Sequence, residues 1–302
     1  MKARLKYWYE EKYKLLMLLP FLLVVLSLVQ IGVQYHTTGD FVHRGITLKG
    51  GSTILIHKEI LGMTSDQLES SLRGKFPEAD VAVRTISSAG RVVALGVDSE
   101  FSTPADITKL TGALAERGIT SADYSVEVVG SALGENFFRQ MILALLVSFV
   151  LMGLVVILYF RVMIPSLAVI LAAFSDIVVT LALFNLTGIK LSTAGVAAFL
   201  MLIGYSVDTD VLLTTRYLKR KEGSEMEKIY SSVKTGLTMT ATTLVAVGVA
   251  LIFVQSDVVR QIMIILFIGL IADTFMTWIQ NVGILRWYVE RRGVAGVKSR
   301  TQ

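Results

Sequence analysis

The chain has 302 residues, of which 53% are hydrophobic and 18% charged, with no cysteine and a formal net charge of +5. Mean hydropathy is +0.64, and the apolar residues fall in long blocks rather than at the short periods of a water-soluble core. That pattern excludes an ordinary soluble protein, and the lack of cysteine excludes disulfides and thiolate metal sites.

The first 14 residues, "MKARLKYWYEEKYK", are basic and precede an apolar block at 15–33. The block is too long for the hydrophobic core of a signal peptide, so it is expected to be an uncleaved anchor, the first of six spans. The next five are expected at 141–160, 163–184, 196–215, 236–254 and 259–279, each long enough to cross about 30 Å of hydrocarbon. A tail, 285–302, follows. Lys2, Arg4, Lys6, Lys12 and Lys14, the segment "RYLKRKEGSEMEKIYSSVK" and the tail "RWYVERRGVAGVKSR" all fall on alternate connections. The intervening "NLTGIKLS" and "QSD" carry one lysine between them. Basic loops are retained inside, so both termini are expected to be cytoplasmic in a multi-pass protein of the cytoplasmic membrane. The positive charge is explained by topology and calls for membrane lipid as its partner, not nucleic acid.

Residues 34–140 form one soluble-looking unit outside the cytoplasm. It begins with a strand, "GSTILIHKE", and a helix, "TSDQLESSLRGKF", opened by a capping box of Thr64 and Gln67. "DVAVRTIS" and "RVVALGVDS" alternate apolar and polar residues about "SAG", as a hairpin does. The helix "TPADITKLTGALAERG" has Thr103 as cap, Pro104 at its first position and Gly118 as stop. "DYSVEVVG" closes the set. The order βαββαβ predicts an α+β ferredoxin-like domain between the first and second spans of a six-helix membrane bundle. It holds no paired nucleophile and base and no cluster of metal ligands, so neither catalysis, cofactor nor metal is expected there. Binding of polypeptide or of a partner suits it better.

Asp176 in the third span, Asp208 and Asp210 in the fourth and Asp273 in the sixth fall within about one turn of the midplane. An ionised aspartate there costs about 2.5–3.5 kcal/mol, so these side chains are expected to face the bundle interior or water. Thr180 lies four residues after Asp176, and Thr277 and Gln280 follow Asp273; Thr235, Thr238 and Thr242 form a stripe on the fifth span. Asp208 and Asp210 point to nearly opposite faces of one helix. Asp208 is the preferred relay residue, because Ala197 and Gly204 share its face and small residues let helices approach. Carboxyls crowded in low dielectric can take up and release protons near neutral pH, a proton relay; the bland alternative is that they stitch the helices together. Arg216, at the cytoplasmic end of the fourth span, is expected to snorkel.

"GYSVDTDVLLTTR" in the fourth span resembles the corresponding motif of the SecF branch of the SecD/SecF protein-export family, in an archaeal form. "GITLKGGSTI", with Gly50 and Gly51, resembles that family's glycine-glycine motif, and "VEVVGSALGENFFRQ" and "FSDIVVTLALFNLTGIKLS" resemble its approaches to the second and third spans. The resemblance implies a complex with SecD beside a SecYEG-type translocon, membership of the resistance-nodulation-division superfamily, and proton flow that helps draw a translocating polypeptide outward. Within the motif Asp208 matches the aspartate of the SecD version, the bacterial SecF aspartate falls on Thr209, and Lys234 stands near the place of a fifth-span arginine. The alternatives are a proton-coupled exporter of lipid or small molecules from the same superfamily, an assembly subunit whose aspartates only pack, and an intramembrane aspartyl protease. The protease reading lacks a Gly-x-Gly-Asp motif around any of the four aspartates, and the chain is read as not an enzyme.

Overall fold

Why a chain this apolar still folds into two dissimilar parts is visible in the computed structural model, which describes residues 2–57, 64–77, 79–88, 91–220, 222–254 and 256–298. A short helix α1 (Lys2–Glu11) precedes the first span, α2 (Tyr13–Thr38). After one helical turn, α3 (Ile46–Lys49), come β1 (Gly51–Ile56), α4 (Ser65–Lys75), β2 (Val81–Ser88), β3 (Arg91–Ser99), α5 (Pro104–Ala115) and β4 (Tyr124–Val129). Four spans follow: α6 (Ser131–Phe160), α7 (Met163–Leu186), α8 (Thr193–Lys219) and α9 (Glu225–Phe253). The sixth span, Val258–Arg291, is built from α10 (Asp257–Phe275), a π-helical segment (Met276–Asn281) and α11 (Val282–Lys298), so the expected tail continues the helix. The molecule is thus predominantly helical, with six helices long and apolar enough to cross a membrane and one small sheet.

The sheet has the order β2-β3-β1-β4 and is antiparallel throughout. Its register sets Ile54 opposite Val97 on one side and Val126 on the other. Alternation then directs Ile54, Ile56, Val81 and Val97 to the face covered by α4 and α5, where Leu68, Leu72, Leu110 and Leu114 complete a core. The capping box at Thr64 and Gln67 is formed, and Thr103 caps α5 ahead of Pro104. Residues Lys58 and Glu59, the Ala89–Gly90 part of the hairpin turn, Gln255 and 299–302 lie outside the described residues.

Spans three, four and six form the centre of the bundle, with 61%, 50% and 50% of their apolar windows buried, against 6%, 11% and 17% for spans one, two and five. The two parts meet through residues 39–51. Val42 and Leu48 are fully buried against Phe184, Leu191 and Phe199 at one end of the bundle. Gly45 N donates to Leu191 O (2.8 Å), Leu191 N to His43 O (2.6 Å) and Asn185 Nδ2 to Phe41 O (2.9 Å). Lys190 pairs with Asp80 of the sheet domain at 2.6 Å.

The glycine-glycine motif has a steric cause. Gly50 and Gly51 have φ of 91° and 143°, and a Cβ on Gly50 would stand 2.4 Å from Ser131 Cα. One on Gly51 would stand 2.2 Å from Ser99 O, and one on Gly134 would stand 2.5 Å from Gly50 N. The start of β1 and the first turn of α6 therefore touch backbone to backbone.

Candidate functional site

The centre of the bundle is polar. Asp176, Asp210 and Asp273 are 0%, 0% and 1% exposed, and Ser175, Ser206, Thr209, Thr277, Gln280 and Asn281 are buried beside them. Each carboxyl is held by hydroxyls or an amide from another helix or the next turn. Ser206 Oγ donates to Asp176 Oδ2 (2.5 Å), and Thr277 Oγ1 and Thr209 Oγ1 donate to Asp273 (3.0 and 3.3 Å). Asn281 Nδ2 donates to Asp210 Oδ1 at 2.7 Å, and Gln280 Nε2 donates to Ser175 Oγ at 3.1 Å. Asp273 lies within hydrogen-bonding reach of Asp176 and close enough to Asp210 to interact electrostatically. Among the described residues no lysine, arginine or histidine pairs with any of the three. Asp176 Oδ1, Asp210 Oδ2, Gln280 Oε1 and Asn281 Oδ1 are buried without a hydrogen-bond partner among the described residues.

The π segment explains how Gln280 and Asn281, adjacent in sequence, are both fully buried here. A π turn carries one extra residue per turn, which widens the arc facing inward and is found most often at functional sites. Asn281 escaped the sequence reading for that reason: from Asp273 an α-helical count leads to Thr277 and Gln280, and only the spacing of four from Thr277 points to Asn281.

Asp208 stands apart from this cluster. Fourth-span residues Gly204, Tyr205 and Asp208 are exposed on the outer side of the bundle, contrary to the expectation that Asp208 faces inward with the small residues. The reason is rotational: Ser206 and Asp210, four apart, take the inward face, and Asp208, two residues from each, is left opposite. Asp208 has no hydrogen bond or ion pair among the described residues. On the fifth span Lys234, Thr238 and Thr242 are likewise exposed, and Leu237, Thr238, Ala241, Thr242 and Val245 line an open groove. Arg216, expected to snorkel, donates to Ser231 O (2.9 Å) and Thr235 Oγ1 (2.8 Å), tying the fourth span to the fifth. No group of three or more metal-ligating side chains occurs among the described residues.

The arrangement can therefore hold protons at three mutually interacting carboxyls inside the chain, and it presents a separate carboxylate and ammonium at its outer face. Comparison with known proteins sets this geometry in a family. Residues 110–291 match the model of the C-terminal region of the protein export membrane proteins SecD/SecF. The protein-export membrane protein SecF of Pyrococcus furiosus is 40% identical over 96% of each chain, and that of Methanothermobacter thermautotrophicus 38% identical over 93% of this chain and 94% of its own. In fold, the chain is similar to the crystal structure of SecDF, a translocon-associated membrane protein, from Thermus thermophilus. That match has a TM-score of 0.69 and 22% identity, and covers 91% of this chain and 38% of the longer SecDF chain. With its family model covering more than half of its length and relatives matching it nearly end to end, the chain belongs to the SecD/SecF family of protein-export membrane proteins.

Proposed function

We propose that the chain is the SecF-type subunit of a complex that assists protein translocation across the cytoplasmic membrane, and that proton movement through its midplane carboxyls promotes the late part of export. The observation that carries this reading is the set of three buried carboxyls, Asp176, Asp210 and Asp273, drawn from three spans with no basic partner among the described residues. Three negative charges in that setting are untenable together, so the set holds protons, and their number follows the pH on the side to which it opens. Helix stitching alone is served by Ser, Thr and Asn and does not call for three carboxyls.

The partner is a SecD-type chain. Asp208, Lys234, Thr238 and Thr242 are exposed polar side chains on neighbouring spans, a surface suited to cover by complementary groups from another chain. The 38% coverage of the longer SecDF chain is consistent with a second half supplied separately. The outer domain is of the ferredoxin-like, split βαβ kind; it lies outside the cytoplasm because the basic loops keep both termini inside, and it handles the polypeptide leaving a SecYEG-type translocon. Gly50 and Gly51 serve structure and Arg216 ties helices. The function needs neither cofactor nor covalent chemistry.

Export of a reporter in cells carrying Asp210→Asn, Asp176→Asn or Asp273→Asn tests the reading, with copurification of the SecD-type partner checked in parallel. Asparagine keeps size and hydrogen bonding while removing the titratable group. Lost export with an intact complex is expected. Normal export in all three variants would overturn ion coupling at this cluster, and lipid rather than polypeptide crosslinking to the outer domain would favour an exporter of lipids.

A further inference from the structure

Helix α1 lies outside the spans, yet it is fastened to the one irregular stretch of the sixth. Tyr9 Oη donates to the carbonyl of Trp278, inside the π segment, at 2.9 Å. Burial and the neighbouring Tyr230 push the Tyr9 hydroxyl well above the ordinary tyrosine range, so it remains a donor at physiological pH. Two turns further along the same span, Arg286 donates to Tyr9 O (2.9 Å) and Glu10 O (2.8 Å), satisfying carbonyls that the end of α1 leaves free. Its guanidinium also lies 4.1 Å from the ring centroid of Tyr13. Tyr230 Oη donates to Glu10 Oε1 at 2.9 Å, which adds a tether to the fifth span. The arm is thus held at two points on one face of the sixth span, and one of them is a π-segment carbonyl.

That carbonyl belongs to a residue wedged against the ion site. The Trp278 ring is packed so tightly on the fifth span that a Cβ on Gly236 would stand 2.2 Å from it, and the same Cβ would meet Thr209, the residue before Asp210, at 3.2 Å. One turn beyond Trp278, Asn281 holds Asp210. The groups that face Asp210 are Asp273 from α10, Asp176 from α7, and Thr277 and Asn281 from the π segment; Asn281 is the amide donor among them.

We propose that Asn281 is the positioning residue for Asp210 and that α1, through Tyr9 and the Trp278 carbonyl, holds the π turn in the form that keeps Asn281 in place. This rests on the reading of Asp210 as an ion-carrying group. The amide N–H of Asn281 fixes the position of the Asp210 carboxyl, and a π turn relaxing to α-helical hydrogen bonding turns the residues beyond it about the helix axis, taking that donor away. The arm thereby sets whether Asp210 is held in the position from which it exchanges protons.

The experiment compares wild type, Asp210→Asn, Asn281→Ala, Tyr9→Phe and the Asn281→Ala/Tyr9→Phe double variant, each the full chain with its partner in sealed vesicles. Two quantities are read: the pH profile of proton flux, and hydrogen exchange of Met276–Asn281. The midpoint should move in Asn281→Ala, by less in Tyr9→Phe, and in the double variant no further than in Asn281→Ala. Exchange in the π segment should rise several-fold in Tyr9→Phe, as expected when a local tether is lost. Lower flux with an unmoved midpoint, additive shifts, or unchanged exchange in Tyr9→Phe would overturn the proposal. Absence of flux in wild type, or flux undiminished in Asp210→Asn, would instead overturn the ion-coupling reading, and the exchange measurement would still decide whether Tyr9 holds the π turn.

Discussion

In the sheet domain the interior is Ile54, Ile56, Leu68, Leu72, Val97, Leu110 and Leu114, while Lys75 with Glu116, Lys49 with Glu100 and Arg84 with Asp98 pair at its surface. In the bundle Leu22, Val150, Leu158, Leu186 and Ile252 are exposed and the interior holds Asp176, Asp210, Asp273, Gln280 and Asn281. One chain thus follows both patterns, and the surrounding medium decides which. Water rewards removal of apolar surface, so the domain gains stability by packing leucine; lipid offers no such gain, so the bundle associates through close packing and hydrogen bonds between spans.

The contrast can be broken most severely where the two parts touch. Gly50→Val places a side chain 2.4 Å from Ser131 Cα at a positive φ, and the loss should exceed about 4 kcal/mol, read as absence of folded protein after detergent extraction. Next comes a matched pair of truncations. Leu72→Ala in the outer core should cost about 2–5 kcal/mol, whereas Thr277→Val, which removes a hydroxyl bound to Asp273, should cost about 0.6 kcal/mol and no more than about 1.7. Comparable losses in unfolding experiments on the two variants would erase the distinction between water-driven and lipid-tolerant packing. The smallest effect is electrostatic. The hydrogen bond from Lys75 holds Glu116, and that from Lys109 with the Thr103 hydroxyl holds Asp106, below the usual carboxylate range. Groups so depressed contribute stability above their unfolded values and lose it as pH falls through the folded ones. Both are exposed, so Glu116→Gln should leave the unfolding midpoint at pH 7 unchanged within error and flatten its decline only in acid.

Some of this was open to inspection in the residue order. Blocks of apolar residues announced six spans, and Thr64–Gln67 and Thr103–Pro104 marked two helix starts that the fold contains. The separation of Asp208 from Asp210 followed from helical geometry, but the choice between them did not. Small residues beside Asp208 suggested an inner face, whereas Ser206 and Thr209 offer hydroxyls to Asp176 and Asp273 and so decide which side of the helix turns in. Asn281 was hidden because a π turn leaves no trace in a 3.6-residue period, and the contacts of Tyr9 because they span 269 residues of sequence. Glycine pairs at Gly50 and Gly51 were noticeable as a motif; their cause, a backbone contact with α6, exists only once the chain is folded.

The pairing of Arg44 with Leu191 carries a mechanical meaning. A load applied to the outer domain can pass down α6, into which β4 leads directly, and also sideways through Gly45, Leu191 and the Lys190–Asp80 ion pair into the loop joining the third span to the fourth. Those two spans bear Asp176 and Asp210. The domain is in this way braced at two places, by the glycine contact on α6 and by the loop between the two spans that carry Asp176 and Asp210.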